Sequence, residues 1–263
     1  MNQFILYICR TSAKKRPMLR VLYLLYFWII VVPIFLLTTI LTALTVIVGC
    51  MLGGEKFFSF YPGMIWSRIT CYLALCPVKV RGRENLKAKQ SVVIVANHQS
   101  AFDIFLMYGF LGAPIKWMMK IGLARIPLVG AACRAAGFIF VDNSTPRAAQ
   151  RSVAEAKRRL KEGASLAVFP EGSRTHDGKM GRFHKGAFQV AVDQHLPIVP
   201  ITINGTYKIL PIGTIITNPH RMEMVIHPPI YVDETTLAGK GSLQKIANEV
   251  KEVIVSELWE EFV

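Results

Sequence analysis

Zinc-type cysteine pairs are missing from this chain. Cys9, Cys50, Cys71, Cys76 and Cys133 are odd in number and stand at none of the spacings that hold zinc, so they read as reduced thiols of a cytoplasmic, membrane-attached protein. Acidic residues are scarce, 17 Asp and Glu against 31 Lys and Arg, but the basic residues are scattered and never interleave with aromatics as in an RNA-binding signature. The net charge of +14 therefore points away from nucleic acid and toward an anionic membrane surface with anionic substrates. No internal repeat or low-complexity linker divides the 263 residues, which suit one domain and an appendage.

Charge is absent altogether from Val21 to Gly54. As one straight helix this run would span about 50 Å, against the roughly 30 Å of a bilayer's hydrocarbon layer. Pro33 within it and Gly49, Gly53 and Gly54 near its end leave a kinked or a hairpin arrangement open. A second stretch, Phe57 to Cys76, is interrupted by Pro62, Gly63 and Arg68, and its Tyr61, Trp66 and Tyr72 suit a headgroup region. Arg10, Lys14, Lys15, Arg16 and Arg20 precede the run, and Lys56, Arg68, Lys79, Arg81 and Arg83 follow it. Both flanks want the cytoplasm, which favours a re-entrant or two-helix anchor over a single crossing. The run is far longer than a signal core and has no small-residue cleavage site; the other reading is a helix buried in a soluble core.

After the anchor, strand and helix patterns alternate, as in an α/β domain. Strands are expected at Val78–Gly82, Val92–Ala96, Ile115–Lys120, Phe138–Asp142, Leu166 onward, Leu196–Gly205 and Met222–Ile230. Pro197 and Pro200 suggest that the sixth lies at an edge or walls a groove. Ser144 or Thr145 should cap a helix with Pro146 in its first turn and Gly163 as its stop. The basic residues of that helix read as a solvated or membrane-facing surface. Ser242–Phe262 reads as an amphipathic terminal helix.

Two strand ends carry chemistry. In VVIVANHQSAFD (Val92–Asp103) a buried strand runs straight into Asn97, His98, Gln99 and Ser100. Five residues of continuous helix would turn Asp103 roughly 140° from the face of His98, so the two meet only if the chain turns between them. Asn97 and Ser100 are turn and cap residues, and a helix starting near Ala101 would let Asp103 reach back to one ring nitrogen, leaving the other as a base. A plain structural hydrogen bond is the alternative. In LAVFPEGSR (Leu166–Arg174), Gly172 admits close backbone approach, Ser173 and nearby amides can donate, and Arg174 offers a fork to phosphate; the alternative is an exposed Glu171–Arg174 ion pair. His184 reads as a surface residue.

These blocks, in this order, resemble the glycerolipid acyltransferase family, in particular its bacterial 1-acylglycerol-3-phosphate members. NHQSAFD carries Asn97, His98 and Asp103; Lys120 with Pro127 and Gly130 is similar to the second block; FPEGSR is similar to the third, with serine in place of the usual threonine; LPIVPI is similar to the fourth. One position departs: Asp142 is followed by Asn143 where the family commonly has arginine. The resemblance implies a mixed, largely parallel sheet flanked by helices, with an anchor over 1–76 and a catalytic domain over 77–263. It implies acyl transfer from acyl-CoA or acyl-ACP to the sn-2 hydroxyl of lysophosphatidic acid, giving phosphatidic acid in phospholipid synthesis on the cytoplasmic face of a bacterial inner membrane. His98 would be the base and Asp103 its partner. Lys120 and Arg174 would hold the phosphate, and Glu171 would place the glycerol or structure the loop. No metal or cofactor beyond the thioester co-substrate is implied. A different lysolipid or glycerol 3-phosphate as acceptor, or a non-catalytic lipid-binding protein, are the competing readings.

Overall fold

The computed structural model describes residues 17–86, 90–142, 144–232 and 242–262. Cys9, Arg10, Lys14, Lys15, Arg16 and Asn143 lie outside them, and so does whatever Asn143 contributes at the position where the family carries arginine.

The charge-free run forms a continuous rod: α1 (Pro17–Tyr26), a π-helical turn (Phe27–Val31) and α2 (Val32–Met51). It runs through Pro33 without reversing, and the reversal comes at the glycines near its end. Proline has no N–H for the carbonyl four residues back, and the wider turn just before it, where Val32 N–H reaches Phe27 O, absorbs the irregularity. The chain reverses at Leu52–Gly54, with Gly53 at φ +86°, a value glycine adopts without strain. Then α3 (Glu55–Phe58) and α4 (Tyr61–Leu73) run back along the rod. Trp66 Nε1 donates to Thr39 Oγ1 at 3.0 Å, and the Tyr26 hydroxyl donates to Leu73 O at 2.9 Å. The helix Met18–Met51 is long and apolar enough to cross a membrane, and only 17% of its most apolar window is buried. That low burial sets it apart from a core helix.

Among the described residues seven strands follow: β1 (Val78–Arg81), β2 (Val93–Ala96), β3 (Lys116–Lys120), β4 (Ile139–Val141), β5 (Leu166–Val168), β6 (Ile198–Asn204) and β7 (Met222–Ile226). They form one sheet in the order β1-β7-β6-β2-β5-β3-β4. β6, β2, β5, β3 and β4 are mutually parallel, and β7, with β1 parallel to it, runs against them. The helices are α5 (Phe102–Phe110), α6 (Val129–Ala135), α7 (Pro146–Lys161), α8 (Gly186–Asp193), α9 (Thr206–Ile209) and α10 (Ser242–Val255). The last is shorter than the amphipathic pattern suggested and gives way to a separate 3₁₀ turn at Glu260–Phe262.

Alternation along the strands divides two cores. Ile94 and Ala96 of β2 face a layer holding Cys71, Phe102 and Leu106 from α4 and α5. Val93 and Val95 face Ala156, Phe188 and Ile246 from α7, α8 and α10. A smaller cluster joins Ala43 and Val46 of α2 to Ala132 of α6 and Ala136 just beyond it. Thr145 caps α7, accepting Ala148 N–H at 3.1 Å. Half of its basic residues are paired: Arg158 with Glu155 and Glu162, Lys157 with Asp193, and Arg159 with Glu155 and Glu55, whereas Arg147, Arg151 and Lys161 pair with no described carboxylate.

β6 is central, not an edge, and all seven of its residues are buried. Pro200 is tolerated there because its backbone faces β7, just past the end of regular pairing, where Pro200 O accepts His227 N–H at 3.0 Å. Val199 and Ile201 face β2, so the missing N–H breaks no bond of the parallel ladder. Thr202 locks the far side: its hydroxyl donates to Ile254 O at 2.7 Å and so accepts from His227 Nε2 at 2.8 Å.

Candidate active site

The parallel strands end at one edge, and the polar turns that follow β2 and β5 meet there. His98 lies two residues beyond Ala96 and keeps its phase, so its ring falls on the α5 side of the sheet. Asn97 is not the turn residue its type suggested. Its side chain donates to Ile203 O at 2.9 Å and accepts Ile203 N–H at 2.8 Å, tying the end of β2 to β6. Ser100 accepts Phe102 N–H through its hydroxyl at 3.2 Å and donates to Leu210 O at 2.9 Å. The chain thus turns over four residues, and α5 begins in time to put Asp103 in its first turn.

Asp103 is fully buried. Its Oδ2 lies 2.8 Å from His98 Nδ1 and accepts the backbone N–H groups of Gln99 and Ser100 at 2.6 and 2.8 Å. A carboxylate so placed accepts from Nδ1–H, which leaves the Nε2 lone pair free. The ring keeps 14% of its side-chain exposure, enough to meet a reactant. Its other face is sealed: Phe169 stacks on it with centroids 3.9 Å apart and planes 7° from parallel, and Trp117 stacks behind Phe169 at 5.5 Å. β3 brings Trp117 there by pairing it with Ala167, which shares a strand face with Phe169.

The turn after β5 grips the backbone of the same histidine. Glu171 Oε1 accepts His98 N–H at 2.7 Å and Oε2 accepts Gly181 N–H at 2.6 Å, while Thr175 N–H donates to His98 O at 3.1 Å. Glu171 is therefore a buried brace and forms no ion pair with Arg174. Burial pushes its carboxyl above the usual range, against the pull of the Gly181 and His98 N–H groups and of the His98 ring. Gly172 has φ +73° and packs beside the exposed His184, whose N–H donates to Pro170 O at 2.8 Å. Ser173 is exposed and Arg174 half-buried. Lys120 is exposed at the end of β3, on the same sheet edge, and neither basic side chain makes an ion pair with a described residue.

The structure thus joins His98, Asp103 and the Glu171–Arg174 turn through hydrogen bonds, and brings Lys120 only to the same edge. Phe169, Trp117, Thr175 and Gly181 were not singled out from sequence. Phe169 had a signal in its position directly before Pro170 and Glu171; Gly181, ten residues beyond Glu171, had none. Among the described residues no group of three His, Cys, Asp or Glu is placed to hold a metal ion.

The acyltransferase family model matches residues 77–204, a span that contains every one of these side chains. A chloroplastic 1-acyl-sn-glycerol-3-phosphate acyltransferase of Brassica napus is 33% identical over 217 residues, covering 78% of this chain and 62% of the relative. Its counterpart in Arabidopsis thaliana is 34% identical over 198 residues, covering 74% and 55%. The chain belongs to the acyltransferase family. The fold agrees: the crystal structure of the 1-acyl-sn-glycerophosphate acyltransferase of Thermotoga maritima superposes with a TM-score of 0.73 at 29% identity, covering 93% of this chain and 99% of that chain. The mixed, mostly parallel sheet with flanking helices is thus shared with a solved relative. The chain spans 62% and 55% of the length of the two plant proteins.

Proposed function

We propose that this protein transfers an acyl chain from a thioester donor, acyl-CoA or acyl-ACP, to the sn-2 hydroxyl of 1-acyl-glycerol 3-phosphate, giving phosphatidic acid. The observation that carries the reading is the His98–Asp103 pair at 2.8 Å, with Nε2 left free on a ring backed by Phe169. Nε2 takes the hydroxyl proton as the oxygen attacks the thioester carbonyl. The new C–O bond forms, the C–S bond breaks, and the imidazolium returns its proton to the departing thiolate. Asp103 steadies the imidazolium in between, and base catalysis of this kind contributes about 100- to 10,000-fold. Transfer is direct, with no acyl-enzyme. Burial pushes the Cys133 thiol up to about 11, which makes it a poor nucleophile at neutral pH.

Lys120 and Arg174 hold the acceptor phosphate, with Gly172 and Ser173 lining the approach. Glu171 structures the loop, both of its oxygens being engaged by backbone. The step draws on no metal or cofactor beyond the thioester co-substrate. Residues 1–76 form the anchor and 77–263 the catalytic domain. The exposed apolar helix supports a membrane location, with the site at the cytoplasmic face of a bacterial inner membrane, where acceptor and product stay in the bilayer.

The test is to supply the purified protein in detergent or liposomes with an acyl-thioester and a panel of lysolipids, beside His98→Ala. Diacyl product from lysophosphatidate, lost by a factor of about 100 or more in the variant, is the expected result. Product from another lysolipid alone would move the acceptor, and no product from folded protein would overturn the reading.

A further inference from the structure

The segment beyond the FPEGSR turn is pinned to the site from beneath. Gln99 Nε2 donates to Gly178 O at 3.0 Å, Gly181 N–H to Glu171 at 2.6 Å, and His184 N–H to Pro170 O at 2.8 Å, while Phe183 is buried in the core against Phe188. Over residues 178–185 the exposed basic side chains are Lys179, Arg182 and Lys185, with His184 exposed beside them. None of the three pairs with a carboxylate among the described residues, in contrast to Lys157, Arg158 and Arg159 on α7. Asp177, an exposed acid beside them, accepts from Thr175 Oγ1 at 2.7 Å and Lys179 N–H at 3.0 Å, bonds that hold its carboxyl below the usual range, so one negative charge stands against the three cations and the rim stays net positive.

This rim carries no exposed large apolar side chain, whereas Ile121, Leu123, Ile126 and the outward face of Met18–Met51 do. Lys120 and Arg125 stand beside those apolar side chains, whereas the cations of the rim have none beside them: the mixed surface suits a bilayer, the purely cationic one a water-soluble polyanion. Nor does the rim expose a Phe, Tyr or Trp on which an adenine could stack. We infer that Lys179, Arg182 and Lys185 form the docking surface for an acidic carrier protein that presents the acyl thioester. This rests on the acyl-transfer reading above and names the donor's carrier.

The experiment measures initial rates of the full-length protein in detergent micelles, with the same acyl chain on acyl carrier protein or on coenzyme A. It compares the wild type with the triple variant Lys179→Glu, Arg182→Glu, Lys185→Glu. The variant should raise KM for the carrier-protein donor about tenfold or more and leave KM for acyl-CoA within about twofold. Its rates with the carrier donor should also be less steepened by salt than those of the wild type. The acyl-CoA arm reports that the variant is folded. An equal rise for both donors, as from lost contacts to nucleotide phosphates, would overturn the inference. So would no change for either donor, whether or not binding to anionic vesicles falls, and so would a wild type that uses acyl-CoA alone. A wild type that transfers from neither donor would instead remove the acyl-transfer reading on which it stands.

Discussion

The turn after β2 and the turn after β5 close on the same histidine from opposite sides, and they hold it by different parts. Asp103, from the first, takes the ring through Nδ1; Glu171, from the second, takes the backbone N–H. Both carboxylates are buried, yet one acts on where a proton sits and the other on where a loop sits. The difference teaches that two acidic residues beside one histidine are not two copies of one role. Under the proposed mechanism, changes in the first turn should fall on kcat, and changes in the second on KM and stability.

The largest break should come from Asp103→Asn. The amide is nearly the same shape but favours the wrong tautomer, so kcat should fall on the order of 10³- to 10⁴-fold with circular dichroism unchanged. A loss that instead appeared in KM would erase the contrast between the turns. Arg174→Ala comes next: removal of a charged donor to phosphate should raise KM for lysophosphatidate roughly 10- to 100-fold at nearly constant kcat. Phe169 is where the second turn touches the first one's chemistry. Phe169→Leu keeps an apolar contact but loses the parallel ring, and kcat should drop about three- to tenfold, with Phe169→Tyr restoring most of it.

The smallest effect is expected from Glu171→Gln and is read best in stability against pH. Burial holds the Glu171 carboxyl above its ordinary 4.5 in the folded chain, so the folded state keeps a proton that the unfolded state loses first. The stability due to this group is full below about pH 4.5 and is lost as pH climbs through the raised value. Glu171→Gln should flatten that part of the slope in thermal melts as pH rises from the ordinary carboxylate value. A slope identical to wild type would place the titration elsewhere and leave Glu171 as a brace alone.

Local pattern was enough for much of this. Strand β2, the turn and the first turn of α5 lie within about a dozen residues, and the phase of Ile94, Ala96 and His98 puts the ring on the α5 side before any distant residue is considered. The alternation of strands and helices announced the parallel sheet, and Thr145 with Pro146 announced α7. Pro200 misled, because the rule that prolines mark edges concerns a hydrogen bond whose direction depends on which neighbour the strand acquires. Pro33 and the glycines at the end of the run left a kink or a hairpin open; the structure absorbs the bond lost at Pro33 in a π turn and reverses the chain at Leu52–Gly54. The apparent Glu171–Arg174 ion pair failed because both carboxylate oxygens had nearer partners, the His98 and Gly181 N–H groups.

By itself, then, the amino-acid order determined the elements, the His98–Asp103 pair and the charge-free run, since each depends on residues a few positions apart. Only the tertiary structure decided that β6 is central, that Glu171 braces the histidine's backbone and that Trp117 and Phe169 stack behind its ring. Those contacts join residues far apart in the chain, and which distant groups meet is settled by how the whole sheet and its two cores pack, not by any local period.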